Sequence, residues 1–137
     1  MYILRASADF DSAHFLSGYE GKCSNLHGHR WHIEVQVKGE LQQEGQQRGM
    51  VVDFGDLKRE LRKAADSLDH KLIYEKGSLK PATEAALADE GFATVAVPFR
   101  PTAENLARYI YEKLEGEFDL ESVTVYETPD NCAVYRK

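Results

Sequence analysis

Two long stretches of strict alternation constrain this chain more than any other feature of it. Tyr2, Leu4, Ala6, Ala8, Phe10, Ser12 and His14 share one parity, while Arg5, Ser7, Asp9 and Asp11 take the other. From His29 to Gly39 the pattern returns, with Trp31, Ile33, Val35 and Val37 on one parity and His32, Glu34, Gln36 and Lys38 opposite. A period of two marks a strand with one face buried. Each stretch therefore predicts a half-buried strand, and the turn-forming run Ser17 to Asn25 predicts the loop between them.

Helical spacing takes over further on. Asp53 has the position of an N-cap, with Asp56 as a weak capping-box partner, and Leu57, Leu61, Ala64, Ala65 and Leu68 form an apolar stripe. This helix should end near Leu68, leaving Asp69 and His70 at its exit. A short helix is expected from Pro81 to Glu90, stopped by Gly91. A short edge strand is expected from Phe92 to Val97, closed by Pro98. Thr102 caps another helix that turns Leu106, Ala107, Ile110, Tyr111 and Leu114 inward. Leu120 to Glu127 and Cys132 to Arg136 read as a hairpin around Thr128-Pro129-Asp130-Asn131. Strands and helices are segregated, so the expected class is α+β: an antiparallel β-sheet with two main helices inserted between strand pairs.

The length of 137 residues suits one domain, residues 1–137. A formal net charge of −6, with no local run of Lys and Arg, argues against broad binding to nucleic acid or to an anionic membrane. Two cysteines, Cys23 and Cys132, are too few for a disulfide scaffold. No apolar stretch approaches a membrane span, and the early charge at Arg5 is unlike a signal peptide. The expected location is the cytoplasm.

Against this background the histidines stand out. His14 shares the apolar parity of the first strand, and His27 and His29 share that of the second; His32 falls on the solvated side. A histidine on an apolar face is ordinarily a hydrogen-bonded core residue, and Gly28 can simply serve a turn. Three on inward parity, two of them as His-x-His on one strand, point instead to a metal site. Three neutral imidazoles suit zinc and leave a coordination position for substrate, although iron and nickel also accept imidazole.

Cys23 lies four residues before His27 in a polar loop. It reads as a structural thiol, a fourth metal ligand or a reactive group, and Lys22 and a nearby dication would favour its reactive thiolate form. Asp69-His70 at a helix exit is explained by turn formation and the helix dipole, or by an acid–base pair. Glu127 has the parity of Val123 and Val125, which turns it inward unless the strand has already ended.

In order, Phe10-Asp11-Ser12-Ala13-His14, Cys23-Ser24-Asn25-Leu26-His27-Gly28-His29, Asp69-His70, Pro101-Thr102-Ala103-Glu104-Asn105-Leu106 and Glu127-Thr128 make a recognisable set. The chain resembles the family of 6-pyruvoyl-tetrahydropterin synthase and 6-carboxytetrahydropterin synthase, over nearly its whole length. The resemblance implies that His14, His27 and His29 hold a catalytic zinc. It assigns Cys23 as the proton-abstracting base, Asp69 and His70 as a proton relay, and Glu127 as the carboxylate that grips the amino-pyrimidine edge of a pterin. Thr102 and Glu104 match a motif near the ligand, but capping explains Thr102 equally well, and both stay outside the catalytic set.

The implied substrate is 7,8-dihydroneopterin triphosphate. The short Cys-x-x-x-His-Gly-His spacing resembles the carboxy-type branch, which releases acetaldehyde and triphosphate on a route to 7-deazaguanine compounds such as queuosine. The alternatives are the pyruvoyl-type enzyme, which only eliminates triphosphate, and a zinc-binding module without catalysis. The segment from Ile73 to Arg100 is longer than in many members and could reshape the pocket. The family's tunnelling fold also implies assembly: subunit sheets join into a barrel, two trimers stack into a homohexamer, and active sites lie between subunits.

Overall fold

A computed structural model describes residues 1–137. Its six strands, β1 (Tyr2–His14), β2 (His27–Gly39), β3 (Lys71–Glu75), β4 (Thr94–Val97), β5 (Leu120–Thr128) and β6 (Asn131–Tyr135), form one sheet in the order β4-β3-β1-β2-β5-β6. The two alternating stretches form its centre: β1 spans Tyr2–His14 and β2 spans His27–Gly39. They pair antiparallel along their whole length, from Tyr2 opposite Gly39 to His14 opposite His27. Phe10 stacks on its cross-strand partner Trp31, and the Trp31 indole donates to the Ser12 carbonyl at 3.2 Å. The second strand begins two residues earlier than the alternation alone indicates, so His27 is already part of the ladder.

Helix α1 (Phe54–Asp66) starts where Asp53 accepts the Gly55 N–H at 2.6 Å. Asp56 turns to Arg59 at 2.9 Å, so the second half of a capping box does not form. Helix α3 (Ala103–Leu114) is capped by Thr102, which accepts the Asn105 N–H at 3.2 Å. Both helices lie on the apolar face of the sheet. Leu57, Leu61, Leu106 and Ile110 lose all their solvent exposure there, against Ile33, Val35, Val123 and Val125. Each such leucine or isoleucine contributes about 1.5–3 kcal/mol on burial. The hairpin of β5 (Leu120–Thr128) and β6 (Asn131–Tyr135) completes the antiparallel half.

The α+β class holds, with a mixed rather than purely antiparallel sheet. A short strand, β3 (Lys71–Glu75), follows α1 and runs parallel to the end of β1, from Ser12 opposite Lys71 to His14 opposite Ile73. The edge strand β4 (Thr94–Val97) is parallel to β3. Alternation does not reveal β3 because Ile73 and Tyr74 are both buried. Ile73 enters the core, whereas the Tyr74 hydroxyl donates to Glu84 at 2.9 Å. Glu84 lies on α2 (Pro81–Asp89), a helix with no buried residue. No helix is long and apolar enough to cross a membrane.

Candidate metal centre

The register that pairs β1 with β2 sets His14 directly opposite His27, with His29 two residues along on the same face. The three rings meet at steep angles, with centroids 4.6–5.1 Å apart, and His14 and His29 also set their edges against the Trp31 indole. His14 is 1% exposed, as expected for the inward parity of β1. Glu127, near the end of β5, adds its carboxylate: Oε1 lies 3.0 Å from His29 Nε2 and 3.3 Å from His14 Nε2. One ligand atom from each of the four residues falls within 4.8 Å of the others.

The hydrogen bonds around the rings indicate what belongs among them. His14 Nδ1 lies 2.8 Å from the Pro101 carbonyl, and His27 Nδ1 lies 2.6 Å from the Asn25 carbonyl. A carbonyl only accepts, so both Nδ1 atoms carry the hydrogen and both Nε2 atoms of the neutral rings present lone pairs. Those lone pairs face each other across 3.1 Å. Two acceptors that close repel unless a cation lies between them. Zinc bound tetrahedrally at its usual distance from nitrogen spaces its ligands about 3.3 Å apart. His29 Nε2 is buried, and its one polar neighbour besides the other rings is the Glu127 carboxylate at 3.0 Å. Burial, ahead of all other influences, lowers the pKa of His14 and of His29 and favours the neutral ligand form. The donor set fits a divalent metal ion with imidazole preference.

Cys23 sits in a single 3₁₀ turn, Lys22–Ser24, whose backbone is tied down where the Cys23 carbonyl accepts the Leu16 N–H at 2.9 Å. It lines a cavity of about 370 Å³ together with His14, Glu127, Thr102, Glu104 and Arg100. The cysteine and one wall of the histidine cluster thus share one space. Cys23 is absent from the close cluster of ligand atoms.

His70 opens elsewhere, onto a groove of about 670 Å³ that His29, Arg30, Leu26 and Phe92 also line, with Asp69 beside it. Asp69 and His70 are a paired unit, with His70 Nδ1 at 2.9 Å from Asp69 Oδ2. The pair is locked to β1 twice: Asp69 Oδ1 accepts the Asp11 N–H at 2.8 Å, and the His70 N–H donates to the Asp11 carbonyl at 2.6 Å. The second bond holds His70 at φ +54°, a left-handed conformation uncommon for a residue with a side chain. The Asp11 N–H, followed by His70, holds Asp69 below the usual carboxylate range. The hydrogen bond to Asp69, followed by its charge, raises the pKa of the exposed His70.

The sequence reading brought His14, His27 and His29 together correctly and turned Glu127 inward. It missed the contact of Glu127 with two of the histidines, the use of Asp11 as a clamp, and Arg100 as a wall of the cavity. The strand register through Thr128 would have put Glu127 near the cluster; nothing local marks Asp11 or Arg100.

The same residues 3–137 match the family described as 6-pyruvoyl tetrahydropterin synthase. The chain is 36% identical over 141 residues to the 6-carboxy-5,6,7,8-tetrahydropterin synthase of Haemophilus influenzae, covering 100% of both chains. It is 34% identical to the enzyme of the same name from Synechocystis, covering 98% of this chain and 93% of that one. Among solved structures, 6-pyruvoyl tetrahydropterin synthase of Caenorhabditis elegans superposes with a TM-score of 0.71 at 28% identity, covering 99% and 95% of the two chains. An uncharacterized protein of Wolinella succinogenes shares the fold, with a TM-score of 0.83 at 24% identity over 99% and 98%.

Proposed function

The chain belongs to the 6-pyruvoyl tetrahydropterin synthase family, and on that premise we propose that it is a zinc-dependent 6-carboxytetrahydropterin synthase. Its substrates are 7,8-dihydroneopterin triphosphate and one water; its products are 6-carboxy-5,6,7,8-tetrahydropterin, acetaldehyde and triphosphate. The observation that carries this reading is the facing pair of imidazole lone pairs, 3.1 Å apart, one of them on His14, which lines the cavity that also contains Cys23. The names of the full-length relatives and the short spacing between Cys23 and His27 favour the carboxy-type reaction over the pyruvoyl-type one. The product feeds 7-deazaguanine synthesis, such as that of queuosine, in the cytoplasm.

His14, His27 and His29 would hold the zinc, which when bound would supply Lewis acidity beside the substrate. Cys23, half-buried on the wall of the same cavity, removes a carbon-bound proton from the substrate. His70 gives or takes the compensating proton at Nε2, because Nδ1 is committed to Asp69 and fixes the tautomer. His70 lines a groove that Cys23 and Glu127 do not reach, and we assign the complete site to the junction between copies of the chain in a homohexamer of two trimers. Glu127 accepts the N–H donors of the amino-pyrimidine, a match of one carboxylate to two parallel donors.

A second role for Glu127 is favoured by its 3.0 Å approach to His29: it would be a fourth ligand to the metal. Metal content of Glu127→Gln separates the two. The reaction itself is tested by incubating zinc-loaded protein with 7,8-dihydroneopterin triphosphate. Acetaldehyde together with 6-carboxytetrahydropterin supports the proposal; a 6-pyruvoyl product without acetaldehyde overturns it in favour of the other branch. Zinc binding with neither product would leave a non-catalytic module.

A further inference from the structure

We propose that Arg100 is the positioning residue for the phosphate chain of the substrate. This inference rests on the proposed function, because it takes the ligand of the cavity to be a pterin with a polyphosphate tail. Of the residues that line the space shared by Cys23 and His14, Arg100 alone carries a lysine or arginine charge. Glu104 and Glu127 line the same space, and the whole chain carries a net charge of −6. A polyanion entering there meets two carboxylates, so a local cation is required to hold its tail.

The guanidinium of Arg100 is available for that work. Arg5, Arg30, Arg59, Arg62, Arg108 and Arg136 each face a carboxylate, and Arg48 is exposed. Arg100 is half-buried and has no carboxylate partner; its one side-chain hydrogen bond is from Nη2 to the Ser17 carbonyl at 2.7 Å. Five N–H donors belong to this group, and a partly desolvated guanidinium with most of them unused favours an anion.

Its backbone is also fixed. The Arg100 carbonyl accepts the Thr102 N–H at 2.8 Å and the Asn105 side-chain amide at 2.9 Å. The residue stands immediately before the Pro101 carbonyl that orients His14. The backbone that carries the charged head is thereby tied to the segment that orients His14, which suits a residue that places the tail while the reaction proceeds on the side chain.

The rival role is a strap: Arg100 would merely pin the loop at Ser17 and Gly18, whose φ of +75° brings the guanidinium against it. Zinc-loaded full-length protein separates the roles. The probes are inorganic tripolyphosphate, 7,8-dihydroneopterin without phosphates, and 7,8-dihydroneopterin triphosphate. We expect Arg100→Met to weaken tripolyphosphate binding about tenfold, with the loss in turnover falling on KM, not kcat, and Arg100→Lys to recover part of it. Dihydroneopterin affinity should move much less. If Arg100→Met weakens dihydroneopterin as much as tripolyphosphate, or lowers kcat at constant KM, the strap is correct and the proposal falls. If wild type binds tripolyphosphate through Arg100 yet yields no pterin product, the anion site stands and the assigned reaction fails. Unchanged tripolyphosphate binding in Arg100→Met overturns the anion site whatever the reaction.

Discussion

His14→Ala and His29→Ala should abolish metal retention alike, yet affect the metal-free protein very differently. The His14 ring is 1% exposed, and its Nδ1 satisfies the Pro101 carbonyl at 2.8 Å. Truncation leaves a cavity against Trp31 and strips a buried carbonyl of its donor. Cavity and unsatisfied acceptor together cost about 2–4 kcal/mol, or a fall in Tm of roughly 8–15 °C for a chain of this size. The His29 side chain is 19% exposed, and its Nε2 is already without a hydrogen bond. Its removal deletes an orphaned group and relieves the crowding of three rings, so metal-free His29→Ala should stay within about 1 kcal/mol of wild type. The assay is urea or thermal denaturation after chelation, at one fixed protein concentration because assembly adds to stability, with metal content measured beforehand by elemental analysis. A His14→Ala protein that keeps one metal per chain would refute the ligand assignment. Equal stability losses in both apo variants would refute the reasoning from unmet hydrogen bonds.

Three further outcomes follow from the site. Cys23→Ala should retain full metal content while losing at least about 10²-fold in kcat; loss of metal in this variant would make Cys23 a ligand. Asp69→Asn should move the pH-rate limb of His70 toward lower pH, because the carboxylate that raises its proton affinity is gone. For stability the signs are opposite. The His70 contribution is present in full below its unfolded pKa near 6.5 and is lost as pH rises through its raised folded value. That of Asp69 is present above 3.8 and is lost as pH falls through its lowered folded value. An unmoved limb in Asp69→Asn would show that His70 does not titrate in the rate. Glu127→Gln should keep the metal and raise KM for the pterin about tenfold or more, and normal KM with lost metal would reverse its role.

Much of this arrangement can be read in the chain because it is written in parity. A period of two, held over residues 2–14 and again from residue 29, fixes which way His14 and His29 point before any neighbour is known, and His27 follows once the ladder extends two residues further. The caps at Asp53 and Thr102 are similarly local. What escaped is what depends on partners distant in sequence. Strand β3 is hidden because Tyr74 packs under Glu84 while Ile73 packs into the core, and the two burials cancel the alternation. The clamp on Asp69 and His70 comes from backbone groups of Asp11, which any residue type could supply. Arg100 became visible only when its missing carboxylate partner could be checked against every other arginine.

Helix α2 leaves none of its side chains in the core, and the Tyr74–Glu84 hydrogen bond moors it to β3. The stretch between β3 and β4 is therefore an interchangeable part. Its length and composition can drift without any repacking beneath the sheet, since connecting segments of this kind cost little to lengthen. Because Leu87 and Phe92 from this stretch form one wall of the groove that holds His70, such drift alters the surroundings of the acid–base pair while the metal ligands stay anchored in β1 and β2.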